Sequence, residues 1–339
     1  MKVKEIPTDE SVGLTLAYDL TGITPGKEKG AVLRRGHVIT PADLETLRTI
    51  GKSHIKVIEL ASDEVHEDEA AELLANMLAG EGVSVRMPGE AWADVVSSVT
   101  GLLKVDADRL ASLNMLDDVL IATRHTNYPV VAGETVAKAK VRGLSVKQAV
   151  LDEAKTIAEG SQRILEVLPY RILRAAAVIT GREVYEGRRK DAFEPLLRRR
   201  LAEYGSELTK VEIVPDEIPE MSRAIQAALD SGVDMVLVTG GGSPDDSTSV
   251  SIIGCADDVI FQGVPVSPGA MSILAYAGDV PILGVPAGLL ARPRGFVDLL
   301  LPRLLAGEKP TKSEVMHLGH GALCLLCKTC VFPACPFGK

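Results

Sequence analysis

Aromatic side chains are scarce in this chain of 339 residues: one Trp, six Tyr and five Phe, 4% in all. Few platforms remain on which single-stranded bases could stack. Positive charge is short as well, with 37 Lys and Arg against 46 Asp and Glu and a net charge of −9. A chain charged in this way is a poor non-specific partner for nucleic acid or anionic lipid, so neither is expected as a partner. No run approaches the roughly 18 uninterrupted apolar residues of a membrane helix. The best runs, Asp234–Thr239 and Arg174–Thr180, have strand length. Met1–Glu10 lacks the apolar core of a secretion signal. A cytoplasmic location follows as the expectation, and thiols there stay reduced. Cysteine is rare until the end: Cys255 stands alone, whereas Cys324, Cys327, Cys330 and Cys335 crowd into the last 16 residues.

What is present is ordinary globular material, 46% hydrophobic and 24% charged. At about 150 residues per domain the length predicts two or three domains. Residues 1–60 read as a strand-rich accessory module, with Thr40-Pro-Ala-Asp as a helix start capped by Thr40, a stripe of Leu44, Leu47 and Ile50, and a strand at Ile55–Ile58. Residues 61–173 read as a mixed α+β region. It has a helix over Asp68–Leu78, further helix from Leu102, Val105, Leu110 and Leu113, and a long amphipathic helix over Val146–Val167. Residues 174–310 change character. Ala175–Thr180, Val211–Val214 and Asp234–Thr239 read as buried strands, alternating with helices whose stripes are Phe193, Leu196, Leu197, Leu201 and Met221, Ile225, Ala228. That alternation implies crossover units, so this part is predicted to be an α/β domain with a mostly parallel sheet between two helix layers. Residues 311–339 remain as a cysteine-rich tail.

Ligands of an open parallel sheet collect at the carboxyl ends of its strands. Two loops stand there. Thr239-Gly240-Gly241-Gly242-Ser243 bares backbone amides that, with the two hydroxyls, suit a phosphate, and a helix starting near Asp246 would add its positive end. Asp245 and Asp246 cannot attract that anion, and they make sense as ligands for Mg²⁺ or another hard cation. The loop leaving the first strand, Thr180-Gly181-Arg182-Glu183 onward, offers a carboxylate for the amide and amine edge of a heterocycle, with Arg188, Arg189 and Lys190 as local positive charge. Two further turns, Val266-Ser-Pro-Gly and Gly284-Val-Pro-Ala-Gly, are expected where the later strands end.

These pieces carry a resemblance. Thr180-Gly-Arg-Glu, Gly232-Val-Asp-Met-Val-Leu-Val-Thr-Gly-Gly-Gly-Ser, Asp246-Ser-Thr, Ser267-Pro-Gly-Ala and Gly284-Val-Pro-Ala-Gly follow one another over about Arg174 to Glu308. The segment resembles the molybdopterin-binding domain shared by molybdopterin adenylyltransferases, molybdopterin molybdenumtransferases and competence-damage-inducible-type proteins. Ile23-Thr-Pro-Gly…Gly36-His-Val-Ile resembles the accessory region of the molybdenumtransferases. The resemblance implies molybdopterin, free or adenylylated, as ligand, with the phosphate at Gly240–Ser243. Thr248, Pro268 and Gly269 join the binding residues, and Asp246 with Asp245 carries any transfer step. It also implies a homo-oligomer. The final loop departs from the molybdenumtransferases, with Ala287 and Gly288 in place of Gly-Asn.

Spacing makes the tail a metal candidate: Cys324, Cys327, Cys330 and Cys335 can turn four thiolates toward one Zn²⁺ or one iron–sulfur cluster, with His317 and His320 as substitutes. Three functions stay open. One is a molybdopterin-binding enzyme of cofactor assembly or insertion, such as a molybdenumtransferase. Another is a non-catalytic sensor or carrier that hands the cofactor to a molybdoenzyme partner. The third is a competence-damage-type nucleotide pyrophosphatase.

Overall fold

The computed structural model describes residues 2–22, 30–89, 91–160, 163–171, 173–240 and 247–339. The chain forms two compact units, residues 1–126 with 130–167, and residues 127–129 with 168–339.

The first unit is built from short strands in small, largely antiparallel sheets. Lys2–Pro7 pairs antiparallel with His54–Glu59, and Thr15–Leu16 flanks the latter on its other side. Ile55 and Val57 alternate into a small core with Leu16, Ile39 and Leu47. The helix below them spans Asp43–Thr49. It starts later than expected, because Thr40 does not cap it directly. Instead the Thr40 N–H and hydroxyl donate to the Asp43 carboxylate, at 2.8 and 2.6 Å.

A four-stranded antiparallel sheet follows, in the order Val119–Thr123, Thr135–Val141, Ala93–Ser97, Val83–Arg86. The helix Glu67–Leu78 buries Ala70, Ala71, Leu74, Ala75 and Leu78. Two expectations need correction here. Leu102 and Leu110 lie on different elements, the strand Gly101–Val105 and the helix Ala107–Asn114. Asp106 separates the two by accepting the Arg109 N–H at 3.0 Å as an N-cap. The long helix expected over Val146–Val167 covers only Gln148–Ala158, and Leu165–Pro169 is a strand. Gly160 disfavours helix at that point, and the burial of Leu165 and Val167 follows the two-residue period of a strand.

The second unit has one six-stranded sheet. Its elements are β1 (Arg174–Thr180), α1 (Arg182–Tyr185), α2 (Phe193–Ala202), β2 (Glu207–Val214), α3 (Ile218–Asp230), β3 (Met235–Gly240), α4 (Ser247–Gly254), β4 (Asp258–Gln262), β5 (Ile273–Ala277), β6 (Val280–Pro286), α5 (Phe296–Leu305) and α6 (Lys312–His317). The strand order is β2-β1-β3-β6-β5-β4. The first four run parallel, and β5 and β4 are antiparallel additions. The fold is α/β, as the alternation of strands and helices predicts. Ala175, Ala177, Ile179, Leu237 and Leu283 point to a layer holding α2 and α5. Ala176, Val178, Val236 and Ile282 point to α3 and α4 on the other face. Burial on both faces explains why these strands read as continuous apolar runs. The tail belongs to this unit: Ala322 and Phe337 are buried in the same core as α5.

Beneath α5 lies a buried ion cluster. The Arg200 guanidinium is 2.8 Å from Asp298 and 3.0 Å from Glu203, and Arg294 pairs with the same two carboxylates at 2.8 and 2.7 Å. Among the described residues no helix is long and apolar enough to cross a membrane.

Candidate functional site

The carboxyl end of β1 runs into Gly181, that of β2 toward Asp216, that of β3 into Gly240 and that of β6 into Ala287. An open cleft of about 610 Å³ lies where these ends converge. This is within the usual size range of small-ligand sites, about 300–1,000 Å³. Thr180 and Gly240 form its floor side, Glu183 and Lys190 stand on the loop after β1, and Ser247 brings the first residue of α4 to its edge.

Local chemistry fixes that arrangement. The Thr180 hydroxyl donates to the Thr239 carbonyl at 2.6 Å, and the Thr180 N–H reaches the Thr239 hydroxyl at 3.3 Å. Thr239 itself is fully buried, so its hydroxyl is engaged inside the sheet. Gly181 has a φ of 143°, a conformation closed to most side chains. The chain turns there into the short α1 and sets the half-exposed Glu183 over the cleft. Gly240 is required by proximity, since a Cβ there would stand 2.0 Å from Thr248 Oγ1. Helix α4 can therefore approach β3 closely only while position 240 carries no side chain.

Charge at the cleft is mixed. Arg189 lies 4.0 Å from Glu183, and Arg182 is committed to Glu186 and Glu217. Asp191 lines the cleft but accepts the N–H groups of Phe193 and Glu194, capping α2. Lys190 adds a further cation to the lining. The wall after β6 is apolar, made of Ala287, Leu290 and Ala291.

Residues 176–306 match the family model of the probable molybdopterin binding domain. Residues 5–59 match a domain of unknown function. The chain resembles the CinA-like protein of Mycobacterium avium (strain 104), 31% identical over 129 residues, 38% of this chain and 27% of that protein. It also resembles the probable FAD synthase of Caenorhabditis briggsae, 38% identical over 80 residues, 23% of this chain and 15% of the relative. The chain thus spans about a quarter or less of the length of these relatives. Among solved structures, the molybdopterin biosynthesis enzyme MoaB of Thermus thermophilus is 23% identical with a TM-score of 0.35, covering 40% of this chain and 98% of that one. The Mog protein of Mycobacterium ulcerans is 24% identical with a TM-score of 0.31, covering 39% and 92%.

The segment that matches the molybdopterin-binding family model brings Thr180, Gly181, Glu183 and Gly240 together at the cleft. Thr248 sits behind Gly240, almost fully buried. Gly241, Gly242, Ser243, Asp245 and Asp246 lie outside the described residues. Pro268 and Gly269 are not among the described lining residues; the Pro268 carbonyl accepts the Phe296 N–H at 2.9 Å. The sequence reading missed Asp216, which follows the carboxyl end of β2 and could have been found by the same strand-end rule. Cys324 and Cys335 are half-buried, Cys327 and Cys330 are exposed, and all are free. Among the described residues no three His, Cys, Asp or Glu side chains gather as a metal site. Cys255 is partly buried with its Sγ 3.6 Å from the Ser222 carbonyl, and burial pushes its thiol up.

Proposed function

We propose that the cleft binds an anionic, phosphate-bearing pterin of the molybdopterin class and that the protein acts in assembly or insertion of the molybdenum cofactor. The observation that carries this reading is the convergence of the Thr180–Lys190 loop and Gly240 on one cleft at the carboxyl ends of parallel strands. Glu183 would pair with the amide and amine edge of the heterocycle. Lys190, the amides from Gly240 to Ser243 and the positive end of α4 would hold the phosphate. Asp245 and Asp246 would bind Mg²⁺ and position a transfer step. The same proposal places a thiophilic metal, Zn²⁺ or an iron–sulfur cluster, on the four tail cysteines. It also takes the protein to be a cytoplasmic homo-oligomer with a molybdoenzyme partner.

The apolar wall of Ala287, Leu290 and Ala291 favours one variant of this reading, a carrier or sensor. Those side chains offer a pterin contact area but no acid, base or metal ligand. The test is anaerobic titration of the full chain with molybdopterin, read by protein-bound pterin fluorescence after oxidation. Glu183→Gln is expected to weaken retention about tenfold, as loss of a charge-assisted pair does. Asp246→Asn separates the variants. Lost turnover with retained binding marks an enzyme, and an unchanged protein marks a carrier. Failure to retain the pterin, with hydrolysis of a nucleotide diphosphate instead, would replace the proposal by the pyrophosphatase reading.

A further inference from the structure

The tail is held to the second unit at several points. Leu323 forms a parallel bridge with Ser267, the Cys324 N–H donating to the Ser267 carbonyl at 2.9 Å and the Ser267 N–H to the Ala322 carbonyl at 3.0 Å. Phe337 is buried in the core, and Phe332 packs on it edge-to-face with centroids 6.4 Å apart. The Arg294 guanidinium lies over the Phe332 ring, 5.3 Å from its centroid. The tail also closes on itself, the Gly338 N–H donating to the Gly321 carbonyl at 3.1 Å. Cys324 and Cys335 are therefore fixed next to anchored residues, packed on the core.

Between them stands an exposed tip. Leu325 and Val331 are 70% and 53% exposed, and Leu326 adopts a left-handed φ of 53°, rare for leucine. Cys327 and Cys330 sit in this tip. Three residues of chain reach at most ~10 Å and five at most ~18 Å, so both tip thiols are within range of the anchored pair. Residues 325–331 are all exposed. A metal usually assembles such a site as it binds, because a preformed ligand set is rarely held together without it.

The same anchors hold one wall of the cleft. Arg294, under Phe332, pairs with Asp298, and Asp298 accepts the Gly295 N–H at 2.8 Å. Phe296 donates to the Pro268 carbonyl, one residue beyond the bridged Ser267. The residues just before Arg292 are Ala287, Leu290 and Ala291, which form the apolar wall.

We propose that Cys324, Cys327, Cys330 and Cys335 close around one thiophilic metal centre, and that this closure fastens residues 287–296 and so sets the cleft wall. The inference rests on the tail metal of the proposed function and is independent of which ligand the cleft takes. Uptake of Zn²⁺ breaks four S–H bonds, releases four protons to solvent and forms four Zn–S bonds, with no change of oxidation state. An iron–sulfur cluster would use the same four thiolates.

The full chain is purified anaerobically and loaded with Zn²⁺ or, separately, with Fe³⁺ and sulfide in excess thiol, which reduces part of the iron, then desalted. Expected are about one Zn²⁺ per chain, or several irons with visible charge-transfer absorption. Reactive thiols should fall from the five of the sequence to one, and amide exchange over 287–296 should slow several-fold. Cys327→Ser/Cys330→Ser, on the exposed tip, should lose both the metal and the slowing. Cys255→Ser should lose neither. A folded chain that takes up no metal in either loading, or a double variant that keeps it, overturns the site. Metal bound with unchanged exchange over 287–296 overturns the coupling alone.

Discussion

The second unit carries one six-stranded sheet with helices on both faces, whereas the first spreads its strands over several small sheets. The two also bury charge differently. In the second unit Asp298 and Arg200 are both sealed in, with side chains 1% and 5% exposed. In the first, Asp94 is equally buried, but its partners Lys138 and Arg86 keep 49% and 58% of their side chains in solvent. A buried acid whose cations can rehydrate is a local fixture, while a buried acid with a sealed cation is part of the core.

That contrast predicts unequal consequences. Asp298→Ala removes a sealed partner of Arg200 and leaves Arg200 and Arg294 to share Glu203, and it should cost about 3 kcal/mol. Asp94→Ala releases two cations to water and should cost only about 1 kcal/mol. The sole tryptophan, Trp92, reports the first unit, and amide exchange at Val178 and Leu237 reports the second. Unfolding in urea should move the exchange signal strongly in the first variant and the Trp92 signal slightly in the other. Equal shifts in the two variants would show that sealing of the partner does not matter.

A smaller effect sharpens the comparison at the cleft. Gly240→Ala places a Cβ 2.0 Å from Thr248 Oγ1 and 2.9 Å from its Cγ2. Overpacking of this kind should destabilise the second unit by about 1–3 kcal/mol. Adding Thr248→Ala removes both of those atoms and should restore part of the loss, a coupling that a double-mutant cycle measures directly. Strict additivity of the two changes would mean that β3 and α4 do not meet at Gly240 and Thr248.

The same difference in burial decides what can be read from residues alone. Arg174–Thr180 and Met235–Gly240 are legible because both of their faces are covered, leaving a run of apolar residues without polar interruption. In the first unit, Leu102 and Leu110 stand at spacings that fit one helix, yet a cap at Asp106 divides them, and side-chain capping leaves no trace in hydrophobic periodicity. At the cleft, glycines and strand ends pointed to Thr180, Glu183 and Gly240. Asp216 stands at a strand end as well, but Pro215 and Glu217 flank it and no glycine marks the turn. In the tail, the cysteine spacing is visible at once. Its attachment is not, because Phe332 and Arg294 are brought together only by the fold.

The smallest expected effect belongs to the first unit and to acid. Burial works to raise the Asp43 carboxyl, but hydrogen bonds from the Thr40 hydroxyl, His37 and the Thr40 N–H outweigh it and hold the group at about 2. In an unfolded chain it would titrate near 3.9. A carboxylate depressed by folding contributes stability above its unfolded value, and that contribution disappears as pH falls through the folded one. The first unit should therefore lose this increment between about pH 4 and pH 2. Asp43→Asn should lower stability above pH 4, yet approach the unaltered protein below pH 2, where both carry a neutral group beside Thr40. Trp92 fluorescence at fixed urea, followed through an acid titration, measures the difference between the two curves. A gap that persists undiminished to the acid end would mean that the side-chain charge at position 43 is not what ties His37 and Thr40 to the helix start.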